Sequence, residues 1–558
     1  MLHQRQHIPD MAMICRKKGI KHIVVSPGSR NAPIVSAFYS IFGDDSCISI
    51  VDERSAAYFA LGIASSTGQP VILICTSGTA VLNYAPALAE AYYQHVPLVA
   101  ITADRPSEWI DQQENQAIQQ HNIYQNYIKK SYQLPLSVLS ENDLEFSHRM
   151  VSDAIDRSRT GNMGPVHINV PLTEPLYDEL PLPSQNIRII EQTRIAMDFV
   201  PSEEMINEYI NAKRIMIIHG QDVPGSGVSN VLSLFEKDNR VVIMAENISN
   251  FCGNNALALS NLILSNSRNN NPGYPDLLIH SGGQVVSKSL TGFLRKMPGV
   301  TCWRIGSDDN IIDTFRKVTR VIRCNAVQVY KSLIALPVSY AGEGYRPVWT
   351  ALQKNAENLR DIVLNESPFS DAHVFRSVLQ GIPPETNVVL GNSSIIRYAQ
   401  LFPSDKRLSY FANRGVSGID GVISTASGIA CSTGKLTLTI TGDLGMIYDS
   451  NALWNKYLPP NLKIVVINNG GGGIFHILKG PSDQPGFKKL IEAHHPVNIH
   501  KLAEAFGLAY FYADDKETLT KQWNNFVLPG SMAAILEIKT DAVLSAEVFR
   551  KIMGSRNN

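Results

Sequence analysis

Neither sign of charge is in excess in this chain: 50 Lys and Arg stand against 50 Asp and Glu. A balanced chain offers no electrostatic footprint for nucleic acid or an anionic membrane, and neither is expected as a main partner. Long apolar runs are missing too. No stretch approaches the ~20 residues of a membrane span. The start, MLHQRQHIPDMAMICRKKG, lacks the apolar core and small-residue cleavage site of a secretory signal. Cysteine is sparse: seven residues, at 15, 47, 75, 252, 302, 324 and 431, with no CxxC pair. Five of them lie in or beside apolar runs, which predicts reduced, mostly buried thiols and a cytoplasmic protein. No clean G-x-G-x-x-G occurs in the middle of the chain, so no dinucleotide is expected there. At 558 residues the chain is long for one domain and comfortable for three.

What is present is most concentrated at residues 437–475, TLTITGDLGMIYDSNALWNKYLPPNLKIVVINNGGGGIF. An apolar, β-branched strand from Thr437 to Thr441 ends in Gly442-Asp443. A second, from Lys463 to Ile467, ends in Asn468-Asn469 and a glycine run. A short helix is expected between them, over 451–457. Strand, helix and strand of this length predict parallel neighbours. Asp443 and Asn469 then share the carboxyl edge, where open α/β sheets bind ligands. A carboxylate, an amide oxygen and a nearby backbone carbonyl are hard ligands that suit Mg²⁺, and the glycines let the backbone approach a phosphate. Either dipeptide alone is as often structural as functional. Together, in this order and spacing, they resemble the signature of thiamine diphosphate enzymes, with Leu444 where many members have Gly.

The chain also repeats itself. Gly62-Ile-Ala-Ser-Ser-Thr-Gly68 recurs as Gly428-Ile-Ala-Cys-Ser-Thr-Gly434, an offset of 366. Without a gap, Val96–Asp104 falls on Leu462–Gly470 and His22–Ser29 on Val388–Ile395. Two copies of one α/β domain are expected, at 1–180 and 365–558. On this alignment Asp443 falls on Ser77 and Asn469 on Ala103, so only the second copy can hold the metal. Conversely Glu53 falls on Ile419. The first copy thus offers a carboxylate at a strand-to-helix junction where the second offers an apolar side chain. An ordinary account of Glu53 is a carboxylate at a helix N-terminus, contributing ~0.3–1 kcal/mol, and Asp52 could serve equally.

The region 200–335 reads as a third, Rossmann-like α/β domain, with strands expected at 214–220, 240–246, 276–282, 302–306 and 320–324. Composition places linkers near 178–200 and 337–366. GIACSTGK, residues 428–435, imitates a phosphate loop but has five residues between its glycines and Leu436 in place of the Mg²⁺-binding hydroxyl; a helix end and turn is the better account. Arg30, Arg105, Arg397 and Arg414 all stand near strand ends. A lone Arg there is usually solvated or ion-paired. Four of them suit planar carboxylates, which a guanidinium binds through two bonds, and a polyanionic substrate is expected.

SPGSRNAP, DERSAAYFALGIA, CTSGTAVLNYAPALAEA, TADRP followed by NQAIQQ, NRGVSGIDG and NNGGGGIF occur together and in order. Together they resemble the 2-succinyl-5-enolpyruvyl-6-hydroxy-3-cyclohexene-1-carboxylate (SEPHCHC) synthase family of menaquinone biosynthesis, most closely in the first and third domains. The resemblance implies three doubly wound α/β domains: 1–180 binding the cofactor's pyrimidine, 200–335 central, and 365–558 binding diphosphate and metal. It implies thiamine diphosphate with Mg²⁺, or Mn²⁺ as an alternative, held by Asp443, Asn469 and the carbonyl of Gly471. Glu53 would activate the aminopyrimidine, and Ser393 and Ile419 would also touch the cofactor. Ser29, Arg30, Arg105, Gln116, Lys288, Ser393, Arg397 and Arg414 match family substrate positions, with Ile474 and Phe475 supplying apolar contact. The implied substrates are 2-oxoglutarate and isochorismate, and the implied assembly is a homodimer or homotetramer with active sites at the subunit interface. Ser289 and Gly470 depart from the family pattern. His121 and His476 receive no role. An acetolactate-synthase-like carboligase would carry fewer arginines at these edges, and a dead paralogue would not retain Glu53 with Asp443 and Asn469.

Overall fold

The computed structural model describes residues 3–192, 198–267, 272–308, 310–338, 344–478 and 480–554. Parts of both expected linkers, 193–197 and 339–343, lie outside these residues. Among the described residues, eighteen strands form three six-stranded sheets, parallel throughout. The first holds β1 (Ile23–Val25), β2 (Cys47–Ser49), β3 (Val71–Cys75), β4 (Leu98–Asp104), β5 (Ser131–Gln133) and β6 (Val166–Pro171), in the order β2-β1-β3-β4-β6-β5. The second holds β7 (Ile215–His219), β8 (Val241–Ala245), β9 (Ala256–Leu257), β10 (Leu277–Ser281), β11 (Thr301–Ile305) and β12 (Arg320–Ile322), in the order β12-β11-β10-β7-β8-β9. The third holds β13 (Asn387–Leu390), β14 (Ser409–Phe411), β15 (Thr437–Gly442), β16 (Leu462–Asn468), β17 (Ala509–Ala513) and β18 (Ala534–Lys539), in the order β14-β13-β15-β16-β18-β17. The first and third orders are the same, as copies of one domain require. All five strands expected in the central region are present, with the two-residue β9 added.

The ladders correct the gapless alignment. The offset of 366 holds from the helix Glu53–Thr67 into β3, since Val71 and Thr437 open corresponding strands. Beyond them Val71 pairs with Leu98, whereas Thr437 pairs with Leu462. The second copy's crossover is therefore two residues shorter, and Asn469 stands opposite Arg105, not Ala103. On the other side Ile72 pairs with Ile23 and Leu438 with Val388, a slip of one. A one- or two-residue change in a loop is invisible to a match carried by apolar strands, because Val, Ile and Leu substitute freely along a fully buried run.

By contact the chain falls into two compact units. One is Met1–Ile195 with Asn413–Gly434 and Asp449–Pro459; the other is Ala196–Ala412 with Lys435–Tyr448 and Pro460–Asn558. In the first unit, alternate residues of the sheet feed two cores. Ile23, Val25, Ile72, Ile74 and Val99 pack with Ile8, Met11 and Phe38. Val24, Leu73, Leu98 and Ala100 pack on the other face with Phe59, Leu61 and Leu88. This is the two-residue period of a sheet covered on both sides.

The repeat motif shows its physical purpose in this unit. The helices Glu53–Thr67 and Val422–Thr433 cross so closely that a Cβ at Gly62 would stand 2.1 Å from the Thr425 carbonyl oxygen. One at Gly428 would stand 2.0 Å from that of Phe59. Ser66 and Ser432, matching positions of the two copies, bond to each other at 2.8 Å, so their pair marks a local two-fold axis. Gly62→Ala is expected to destabilise the protein by about 1–3 kcal/mol, the cost of overpacking a filled contact. Equilibrium urea unfolding would measure it; a midpoint equal to the wild type would refute the crossing.

In the second unit, residues 346–366, read as linker on composition, form the 21-residue helix Arg346–Glu366. Pro347 opens it, and Trp349, Ala356, Arg360 and Leu364 are buried at helical spacing. Composition alone ignored that periodicity. The helix expected over 451–457 is replaced by an α-helix at Asp443–Tyr448 and a 3₁₀ turn at Ser450–Trp454. Of the seven free thiols, Cys15, Cys75 and Cys302 are buried and Cys431 is exposed. Among the described residues, no helix is long and apolar enough to cross a membrane.

Candidate cofactor and substrate site

In the second unit, β15 and β16 lie side by side and Gly442 pairs with Ile467. The ladder thus delivers Asp443 and Asn469 to one corner. Asp443 is buried and both its oxygens accept backbone bonds: Oδ1 from Leu444 N at 2.7 Å, Oδ2 from Gly470 N at 2.8 Å and Gly471 N at 3.0 Å. His495 Nε2 lies 3.4 Å from the same Oδ2. The carboxylate folds the glycine turn around itself. A side chain is excluded at the turn's inner positions: a Cβ at Gly473 would stand 2.5 Å from Asn469 Nδ2, and Gly471 has φ 151°.

The two asparagines separate in function. Asn468 is spent on structure, its Nδ2 donating to Glu537 Oε1 at 2.6 Å and its Oδ1 accepting from Gly470 N at 3.1 Å. Asn469 donates through Nδ2 to Asp371 Oδ2 at 3.3 Å, and its Oδ1 is buried with no hydrogen-bond partner among the described residues. A buried amide oxygen left unpaired costs about 1–3 kcal/mol. An oxygen-seeking cation would satisfy it. Gly471's carbonyl accepts from Gly473 N at 2.9 Å and keeps a second lone pair. One carboxylate, one amide oxygen and one carbonyl fit a hard divalent cation that keeps water and phosphate oxygens in its remaining positions. Among the described residues, no three His, Cys, Asp or Glu side chains gather as a metal site. An all-protein cage is thus not what this corner provides.

Asp371, which sequence reasoning missed, sits behind this corner. It is buried, and burial pushes its carboxyl up to about 6; the hydroxyls of Thr540 and Ser545 and the Asn469 amide pull it down, and Asp443's charge raises it. Thr540 and Ser545 saturate its Oδ1 at 2.6 and 3.1 Å, so Oδ2 faces the Asn469 amide nitrogen. That turns the Asn469 oxygen the other way. A partner 98 residues upstream leaves no local signal in the sequence.

The other expected residues of this unit are placed as follows. Ser393 has φ 67° and ψ −121°, a conformation L residues rarely adopt, just past β13. Arg397 donates to the Ser393 carbonyl, burial lowers its pKa, and no carboxylate pairs with it among the described residues. Such a guanidinium suits an anionic ligand. Ile474 is buried and Phe475 half-buried at the start of the short helix Ile474–Ile477, with the Phe475 ring over Gly472. Lys288 is exposed at the first turn of the helix Lys288–Arg295, and no contact ties it to these residues. His476 bonds Glu492 Oε1 at 2.8 Å, a structural use.

In the first unit, Asp52 caps the helix Glu53–Thr67, accepting from Ser55 N at 2.7 Å. Its other oxygen accepts from Asn451 Nδ2 at 2.7 Å. The side-chain cap therefore belongs to Asp52, while Glu53 stands as the acidic residue of the helix's first turn. Glu53 is half-buried; burial raises its pKa, its own backbone N–H opposes this, and Asp52 adds to the rise. Arg30 and Arg105 follow β1 and β4. Arg30 is buried, and after burial the Arg105 charge is the main cause lowering its pKa, so the two cations share one edge. Arg30 donates to the Leu172 carbonyl at 2.6 Å and pairs with Glu174 at 2.9 Å, while Arg105 lies 3.3 Å from Glu114. Gln116 has φ 53° and packs against Gly78, just beyond β3. Ser29 is exposed beside Arg30. Thr76 Oγ1 and Ser77 Oγ, which the sequence reading passed over as donors, are buried at this edge with no hydrogen-bond partner among the described residues. Arg414 and Ile419 lie on the loop before the helix Val422–Thr433, Ile419 exposed.

Comparison with known proteins matches this layout. The model of the thiamine pyrophosphate enzyme N-terminal TPP binding domain covers residues 9–125, and that of the C-terminal TPP binding domain covers 390–537. A 2-succinyl-5-enolpyruvyl-6-hydroxy-3-cyclohexene-1-carboxylate synthase of Desulfotalea psychrophila is 40% identical over 91% of this chain and 94% of its own length. Those of Flavobacterium psychrophilum and Porphyromonas gingivalis are 38% and 35% identical over 94% and 96% of the chain, and over 94% of their own lengths. This chain belongs to the SEPHCHC synthase family. It carries both thiamine pyrophosphate binding domains of that family, the first spanning Glu53, Arg30, Arg105 and Gln116. The second spans Ser393, Arg397, Arg414, Ile419 and the Asp443–Phe475 corner, while Lys288 falls outside both.

Proposed function

We propose that the chain catalyses decarboxylation of 2-oxoglutarate and 1,4-addition of the resulting succinyl carbanion equivalent to isochorismate. The products are SEPHCHC and CO₂, a step of menaquinone biosynthesis. The observation that carries this reading is the partnerless Asn469 oxygen beside Asp443, in a chain that aligns over 94% of the length of a relative named as the SEPHCHC synthase. When bound, thiamine diphosphate supplies the electron sink for decarboxylation and the carbon nucleophile for addition. Asp443, Asn469 Oδ1 and the Gly471 carbonyl hold Mg²⁺, or Mn²⁺, against its diphosphate. Ser393 and Ile419 contact the cofactor. Glu53 hydrogen-bonds the aminopyrimidine, and burial raises its pKa above the usual carboxylate value.

The substrates present carboxylates, which Arg30, Arg105, Arg397 and Arg414 bind, with Ser29, Gln116, Lys288 and Ser393 completing their hydrogen bonds. Ile474 and Phe475 exclude water from the reacting carbon. The domains are 1–180 for the pyrimidine, 200–335 as a central Rossmann-like α/β domain and 365–558 for diphosphate and metal. The active assembly is a homodimer or homotetramer in the cytoplasm, with Glu53 reaching the cofactor of a second copy. A substrate swap tests the reading. With Mg²⁺ and thiamine diphosphate present, CO₂ release is expected from 2-oxoglutarate and not from pyruvate. Faster release from pyruvate would overturn it in favour of an acetolactate-type carboligase.

A further inference from the structure

The loop carrying Arg414 and Ile419 is built around a buried carboxylate. Glu90, in the helix Ala85–Gln94, is fully buried. Its Oε1 accepts the backbone N–H of Gly415 and its Oε2 that of Val416 at 2.8 Å. The Ser417 backbone also donates to it, and Gln94 Nε2 donates to Oε1. Successive backbone N–H groups turned toward one anion form a nest, and such a turn needs a left-handed residue. Ser417 supplies it, at φ 65°. Gly415 permits the approach: a Cβ there would stand 2.5 Å from the Glu90 carbonyl oxygen and 3.0 Å from Oε1.

Packing alone does not call for an acid at this position. An apolar side chain would fill the space without the desolvation cost of a carboxylate. What the carboxylate adds is a fixed course for the loop. The clamped residues are 415, 416 and 417, so Arg414 is fixed at one end and Ile419 follows two residues past the other. Meanwhile Val416 and Ile419 turn their side chains outward, 46% and 39% exposed. We propose that Glu90 is a positioning residue, whose carboxylate clamps residues 415–417 and so aims Arg414 at the substrate and Ile419 at the cofactor. The proposal rests on the functional reading above for the roles of those two residues.

The test is Glu90→Gln. The amide offers one acceptor oxygen where the carboxylate has two, and its NH₂ group then faces a backbone donor. Trypsin cleavage after Arg414 in the cofactor-free protein, followed by mass spectrometry, is expected to quicken about tenfold, the equivalent of one hydrogen bond to a charged group. The KM for isochorismate and the Kd for Mg²⁺–thiamine diphosphate are each expected to rise about tenfold, with kcat at saturation falling by less. Should Glu90→Gln fail to fold, Gly415→Ala keeps the carboxylate and drives the loop away sterically, with the same three changes expected. Cleavage at the wild-type rate overturns the clamp. Faster cleavage with KM and Kd unchanged overturns the positioning role. A wild-type protein that makes no product sinks the functional reading instead, and the cleavage rates still decide the clamp.

Discussion

Asp443→Ala is expected to weaken Mg²⁺-dependent binding of thiamine diphosphate by at least about 100-fold. That exceeds the ten- to hundredfold typical when only a residue behind a metal ligand is changed. Two effects add. The variant removes the one anionic ligand of the corner. It also strips the acceptor from Leu444 N and from Gly471 N of the glycine turn, and leaves Gly470 N with Asn468 Oδ1 alone. Each donor left unsatisfied costs about 1–3 kcal/mol, so the apo protein should lose stability as well. Asp443→Asn separates the two. Its amide keeps one acceptor oxygen for the turn while removing the charge, so stability should largely return and cofactor affinity should not. Calorimetric titration of each apo variant with thiamine diphosphate, with and without Mg²⁺, measures this. Wild-type affinity in Asp443→Ala would refute the metal assignment.

Glu53→Gln is expected to do the reverse: turnover falls by about 10²–10⁴, the usual worth of a general acid–base group, while cofactor binding survives. The separation is possible because Asp52, not Glu53, makes the side-chain cap of the helix, and the variant leaves that cap in place. Gln is isosteric and can still donate or accept one hydrogen bond, but it cannot exchange a proton near neutral pH. Steady-state rates measured beside the calorimetric Kd decide the point. A wild-type rate would remove Glu53 from the chemistry, whereas a lost Kd would recast it as a binding residue.

Local patterns made much of this legible. Buried strands ending in Gly442-Asp443 and Asn468-Asn469 read directly, because parallel neighbours must bring their carboxyl ends together. The repeated Gly62 and Gly428 read because close helix crossing leaves no room for a side chain. The repeat set Glu53 against Ile419, although Glu53 opens its helix and Ile419 lies in the loop before Val422–Thr433. What did not read was long-range or hidden in length. Asp371 and Glu90 reach segments 98 and 325 residues away through hydrogen bonds, which no window of sequence contains. The shortened crossover of the second copy placed Asn469 opposite Ala103 on paper, and only the strand ladder moved it to Arg105. The helix Arg346–Glu366 was masked by a polar composition that conceals its buried Trp349 stripe.

The most direct test of the central claim is to follow isochorismate with 2-oxoglutarate, Mg²⁺ and thiamine diphosphate, by absorbance and product mass. The account predicts loss of isochorismate only when all four are present with the protein, and a product whose mass is the sum of the two substrates less CO₂. Decarboxylation of 2-oxoglutarate with isochorismate left untouched would contradict it.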